Sequence, residues 1–285
     1  MNNLTSHLFE TNAVNVCPEN KPFWYTSGKI GPYYINSEFL YGSKQDAADL
    51  LSFVDENKSR IYELPGLLFT KIIKQYNENK IFQDTIAEMM NLIKANINID
   101  EIKYVSGGER RDWFFSIMIA HLLNKPHITI YKDLKLVLSD SNFTSTTDVA
   151  DINGSNVLHV ADLITEASSY FRAWIPAIES INGKIVWSLA AIDRLQGGTS
   201  KLQECGISPI CIVKVDKSLF DEALNLGVIN QTQFDLIIKF LNSPDETMKE
   251  FLIAHPEFLE NALNSDVKTA GRAKLCIDSN LYGLN

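Results

Sequence analysis

The chain has 285 residues, 45% of them hydrophobic and 21% charged, with a formal net charge of −9. That length and balance exclude a disordered chain and allow a large apolar core. The negative charge excludes a whole-surface attraction to nucleic acid or to an anionic membrane, so neither is expected as a partner and any anionic ligand must be met by local cations. Four scattered cysteines, Cys17, Cys205, Cys211 and Cys276, lack CxxC spacing. They fit neither a disulfide framework nor a zinc site, and the natural compartment is a reducing cytoplasm. The first residues, MNNLTSHLFETNAV, have no basic stretch followed by an apolar run, and FFSIMIAHLL is too short to span a bilayer.

In chain order, Ser43 to Asn96 has helical spacing, with apolar residues at Leu64, Leu67, Leu68 and Ile72 and again at Ile86, Met89, Met90 and Ile93. Five apolar or β-branched runs then predict strands: IKYVSG (102–107), HITIYK (127–132), NVLHVAD (156–162), KIVWSLAAID (184–193) and ICIVKV (210–215). Helix-period segments, Trp113 to Leu123 and Ser168 to Ile181, separate several of them and end in turn chemistry such as Asn182-Gly183. Strand alternating with helix predicts an α/β fold, a parallel sheet covered on both faces, with ligands at the carboxyl ends of the strands. From Asp216 onward the pattern is wholly helical and predicts a packing or oligomerisation extension.

The residues after each strand are therefore the candidates. SGGERRDW offers two glycines and the cations Arg110 and Arg111 ahead of a helix, an anion site, or alternatively a Ser106/Glu109 capping box with solvated arginines. Lys132 and Lys135 lead into SDSNFTSTTD, which predicts a mobile basic loop within residues 133 to 155 able to close over a ligand. The third strand delivers Asp162 and a turn with Thr165, Ser168 and Ser169, whose hydroxyls and N–H groups can cradle a phosphate at a helix start. The fourth delivers Asp193-Arg194 and a Gly197-Gly198 turn. Asp162, Arg111, Lys132 and Arg194 are expected to converge at one sheet edge.

This order of elements resembles the type I phosphoribosyltransferases, most closely the orotate phosphoribosyltransferases. YTSGKIGPYYIN (25–36) is similar to the family's hood segment, whose aromatic residues help enclose the base. VLHVADLITEASS is similar to its ribose-phosphate signature, and AIDRLQGG (191–198) to its "DRQEGG" segment. The resemblance implies a phosphoribosyltransferase-like domain over residues 1–215, with a helical insertion at 43–100 and a helical extension at 216–285. It implies Lys135 and Asp162 as catalytic residues, and Tyr34, Arg111, Lys132, Thr165, Ser168, Ser169 and Arg194 as substrate contacts. It further implies Mg²⁺ accompanying phosphoribosyl pyrophosphate, a phosphorylated sugar or base as the small-molecule partner, a place in pyrimidine biosynthesis, and a homodimer.

The departures are specific. Ala161 stands where the family has the first signature aspartate, Thr26 where the hood has lysine, and Val137 where a histidine follows the loop lysine. Glu166 adds a carboxylate to the phosphate turn, and about 5 Å from a phosphate it would repel by roughly 3 kcal/mol at an effective dielectric near 20. Glu166 pointing outward leaves the turn free, whereas Glu166 pointing inward occupies the anion position itself. Two functions follow: transfer of ribose 5-phosphate from phosphoribosyl pyrophosphate to a base, or non-catalytic nucleotide or base binding on the same fold.

Overall fold

The computed structural model describes residues 3–284. They divide into two compact units: residues up to His7 together with Ser37–Val215, and Leu8–Asn36 together with the segment from Asp216 to the C-terminus.

The first unit is built on a seven-stranded sheet. Its strands are β1 (Tyr104–Gly108), β2 (His127–Ile130), β3 (Leu136–Ser139), β4 (Thr146–Asp148), β5 (Asn156–Ile164), β6 (Lys184–Asp193) and β7 (Ser208–Lys214), in the order β7-β6-β5-β1-β2-β3-β4. Five strands from β7 to β2 are mutually parallel. Each of the five predicted runs is one of them. The other two strands depart from the all-parallel expectation: β3 pairs antiparallel with β2, and β4 with β3. The segment expected to be a mobile basic loop is thus largely a hairpin. Its turn is braced by the Asp140 carboxylate, which accepts from the N–H groups of Asn142, Thr144 and Ser145.

Helices cover both faces. Trp113–Leu123 is apolar nearly all round, with nine of its eleven residues buried, as befits a helix enclosed within a domain. It packs on β1 and β5. The 43–96 region forms three helices, Lys44–Asn57, Leu64–Glu78 and Lys80–Asn96, the first and third capped by the side chains of Ser43 and Asn79. Lys80–Asn96 packs on β6 and β7 as well as on Trp113–Leu123, so this insertion is part of the core. A separate apolar cluster that includes Val157, Ala161, Tyr170, Trp174, Ile178 and Leu202 holds the helical segments that follow β5 and β6.

The second unit joins what the sequence placed apart. Val14–Val16 pairs antiparallel with Tyr33–Ile35, and Phe23–Trp24 with Ile30–Gly31. Five helices follow, from Lys217–Asn225 to Val267–Asp278. Trp24 and Ile30 lie in one cluster with Met248, Phe251, Leu252 and Cys276. The Tyr282 hydroxyl accepts the Ile30 N–H at 2.8 Å. The apolar stripes of the C-terminal helices are therefore spent on the hood residues, and the hood groups with the tail rather than with the remainder of 1–215.

Candidate functional site

The chain leaves β1 toward β2 on one side and returns to β5 on the other, which makes the gap between β1 and β5 a topological switch point. Their pairing stops at Ser106↔His159, while β1 continues against β2 to Gly108↔Ile130. Beyond that point the two strands part. A cavity of about 370 Å³ opens there, between residues 109–112 after β1 and residues 161–163, 165 and 167–170 at and beyond the end of β5, a size suited to a small-molecule ligand.

On the first wall, Gly107 accepts from the Trp113 indole N–H at 3.0 Å, and Gly108 lies so close to the Trp174 indole that no Cβ fits. The Asp112 carboxylate accepts from the Gly108 N–H and from the Asp162 N–H, both at 3.0 Å, and so ties the two walls together. Glu109 accepts from the Lys132 N–H at 2.8 Å, and Ser106 is hydrogen-bonded to His159. The Ser106/Glu109 capping box is therefore not formed. Arg110 pairs with Asp55, and Arg111 Nη2 lies 3.0 Å from Oε1 of Glu38, a carboxylate-bearing residue only 6% exposed.

On the second wall, Asp162 Oδ2 accepts from the Ser37 hydroxyl at 2.7 Å. Burial and then the neighbouring Asp112 carboxylate push the Asp162 carboxyl up to about 7, against the lowering effects of Ser37 and Arg111. The turn that follows holds Ala167 at φ +58°. The N–H groups of Thr165, Glu166 and Ala167 donate to no described protein group. A helical run starts at Ser168 and contains a π turn at Tyr170–Trp174, an irregularity common at functional sites. Glu166 is exposed and does not line the cavity. It points outward, the orientation that leaves the turn free.

Arg111, Asp162, Thr165, Ser168 and Ser169 thus line one cavity. Lys132 and Arg194 do not join them, so the expected four-way convergence is halved. Lys132 contributes its backbone N–H, and its side chain is exposed. Lys135 stands over the Tyr62 ring, 5.1 Å from its centroid, and its ammonium reaches the Tyr62 hydroxyl at 3.4 Å. Arg194 donates its N–H to the Ile164 carbonyl, and its buried Nε has no hydrogen-bond partner among the described residues. Tyr34 belongs to the second unit, beside the rings of Phe23 and Tyr25. Sequence reasoning missed Ser37, Glu38 and Asp112. Ser37 and Glu38 directly follow the quoted hood segment, and the signal that could have found them is a polar pair opening a buried 3₁₀ turn, Ser37–Tyr41.

A switch-point cavity flanked by a Gly-Gly strand end, an aspartate and a hydroxyl-rich helix start belongs to an α/β protein with a phosphoribosyltransferase-like fold. UMP synthase from Leishmania donovani superposes with a TM-score of 0.56 at 15% identity, covering 84% of this chain and 41% of that one. Orotate phosphoribosyltransferase from Francisella tularensis gives 0.51 at 15% identity over 82% of this chain and 95% of that one. In sequence, the chain is orotate phosphoribosyltransferase-like: it is 27% identical to the orotate phosphoribosyltransferase of Sulfurisphaera tokodaii over 219 residues, 77% of this chain and 89% of that protein. No protein-family model matches it. No described helix is long and apolar enough to cross a membrane.

Proposed function

We propose that this cavity binds a ligand carrying ribose 5-phosphate, and that the protein transfers that group from phosphoribosyl pyrophosphate to a ring nitrogen of a base. The observation that carries the reading is the Thr165–Ala167 turn. Its three N–H groups lack described partners, it heads a helical run, and it shares a cavity with Asp162. The turn and the hydroxyls of Thr165, Ser168 and Ser169 take the 5-phosphate. Asp162, once ionised, faces the ribose, where it stabilises positive charge developing on the ring. Arg111 meets the departing pyrophosphate. Arg194, with an unpartnered Nε, is the candidate for a carboxylated base, with Lys132 and Lys135 as outer cations.

No group of three or more His, Cys, Asp or Glu is arranged to hold a metal among the described residues. Asp162 offers one carboxylate, which suits Mg²⁺ arriving with the phosphate ligand rather than a resident ion. Bound in that way, Mg²⁺ supplies charge neutralisation to the departing pyrophosphate. A cytoplasmic homodimer acting in pyrimidine nucleotide synthesis belongs to the same proposal, and rests on the similarity to orotate phosphoribosyltransferases.

A second reading, binding without transfer, is favoured by two observations. Both arginines of the first wall are already paired, and Ala161 supplies no carboxylate. Calorimetric titration with phosphoribosyl pyrophosphate and Mg²⁺, followed by a pyrophosphate-release assay with orotate, separates the readings. Turnover supports transfer, binding without turnover supports the second reading, and no binding refutes transfer.

A further inference from the structure

Arg111 is half-exposed on the cavity wall, where water alone would satisfy its guanidinium. Glu38 is the partner with the greater need. Its carboxylate is held in a buried 3₁₀ turn, and Arg111 is its one salt-bridge partner among the described residues. A buried carboxylate without a cation is strongly unfavourable, so this pair resists opening from the Glu38 side. The other arginine of the loop, Arg110, is committed to Asp55. The phosphate turn differs from this region, because the N–H groups of residues 165–167 are unspent and Glu166 is turned outward.

We propose that Glu38 is a specificity-determining residue that guards the second anion subsite by occupying Arg111. A ligand that also carries pyrophosphate then binds only by displacing Glu38 from Arg111, a cost that a ligand with a single phosphate, such as ribose 5-phosphate, does not meet. The inference rests on reading the turn as a phosphate site and Arg111 as the pyrophosphate contact. A pyrophosphate approaching Arg111 must compete with a carboxylate tethered beside it, whose effective concentration is of millimolar order or higher. It also meets like charge from Glu38 after displacing it. Discrimination against the wrong ligand thus comes from a repulsive group placed at its subsite.

The test measures binding of inorganic pyrophosphate and of ribose 5-phosphate to the full chain. For Glu38→Gln, pyrophosphate affinity is expected to rise by about tenfold or more, while ribose 5-phosphate affinity stays within about threefold. Glu109→Gln removes a carboxylate from the same wall without freeing Arg111, and is expected to raise pyrophosphate affinity by no more than about threefold. In an Arg111→Gln background the gain from Glu38→Gln should vanish, which isolates the pair from a general charge effect. If Glu38→Gln does not fold, Glu38→Asp, whose shorter side chain withdraws from Arg111, should show a smaller gain of the same sign. Equal pyrophosphate affinity in the parent and a folded Glu38 variant overturns the proposal, as does a gain that persists without Arg111. Loss of ribose 5-phosphate binding alone, in parent and variants, refutes the phosphate-turn reading while the pyrophosphate comparison still decides the role of Glu38.

Discussion

Asp162→Asn is the substitution that best tests the electrostatics of the cavity. The Asp162 carboxyl is pushed up to about 7, by burial first and Asp112 second. A carboxyl in an unfolded chain ionises near 4. Between those two values the folded protein holds a proton that the unfolded chain has released, so stability must fall as pH rises through that window. At about 1.4 kcal/mol per unit the span corresponds to at most ~4 kcal/mol, and a value of order 2 to 4 kcal/mol is expected because Asp162 and Asp112 titrate together. Asparagine keeps an oxygen to accept from the Ser37 hydroxyl, removes the charge, and changes the side-chain volume little. Urea unfolding of both proteins from pH 4 to pH 8.5 provides the assay. The two should be close in stability near pH 4, with the variant the more stable by that margin near pH 8. Other groups titrate in both proteins and cancel in the difference. Curves that stay parallel over the whole range would refute the raised carboxyl and, with it, the claim that Asp112 and Asp162 oppose each other.

Three further substitutions probe the walls. Glu166→Thr should leave ribose 5-phosphate affinity within about threefold, since the side chain points away from the cavity; a gain above tenfold by titration would place that carboxylate at the anion position after all. Ala161→Asp sets a carboxylate among apolar neighbours at a position 2% exposed, beside Asp162. A loss of roughly 3 kcal/mol or more in urea unfolding at pH 8 is expected. Gly108→Ala drives a methyl into the Trp174 indole, and should lower stability by about 1 to 3 kcal/mol and weaken ligand binding as the wall shifts.

The parallel core was legible because its strands are buried on both faces and carry apolar runs, such as Leu189-Ala190-Ala191-Ile192 with all four residues buried. The cavity residues after β1 and β5 were legible for a related reason, since the carboxyl edge is where such sheets place ligands. The two antiparallel edge strands were hidden. Leu136–Ser139 and Thr146–Asp148 are short, and the Ser, Thr, Asn and Asp between them serve to brace a turn around Asp140 rather than to leave it loose. Glu38 and Arg111 lie 73 residues apart in the chain, and nothing local in either segment announces the other. Asp112 stands at a helix start, the usual place for a cap, yet its carboxylate makes no cap bond and turns to the strands instead.

That turn of Asp112 links the opening of the cavity to its charge. Where β1 and β5 part after Ser106↔His159, the Gly108 and Asp162 N–H groups lose each other's strand as an acceptor, and buried N–H groups cannot be left unpaired. The two N–H groups reach different oxygens of one short side chain, and a carboxylate is the short group that offers two acceptor oxygens. Asp112 satisfies the two donors at 3.0 Å each, and in doing so brings its negative charge next to Asp162. The part of the rise in the Asp162 carboxyl that adds to burial is therefore a consequence of how the site is held open. A neutral replacement illustrates the constraint: Asp112→Asn can accept one N–H but presents an amide to the other. It would lower the Asp162 carboxyl toward its ordinary range while unpinning one wall, so cavity geometry and Asp162 protonation cannot be tuned independently at this position.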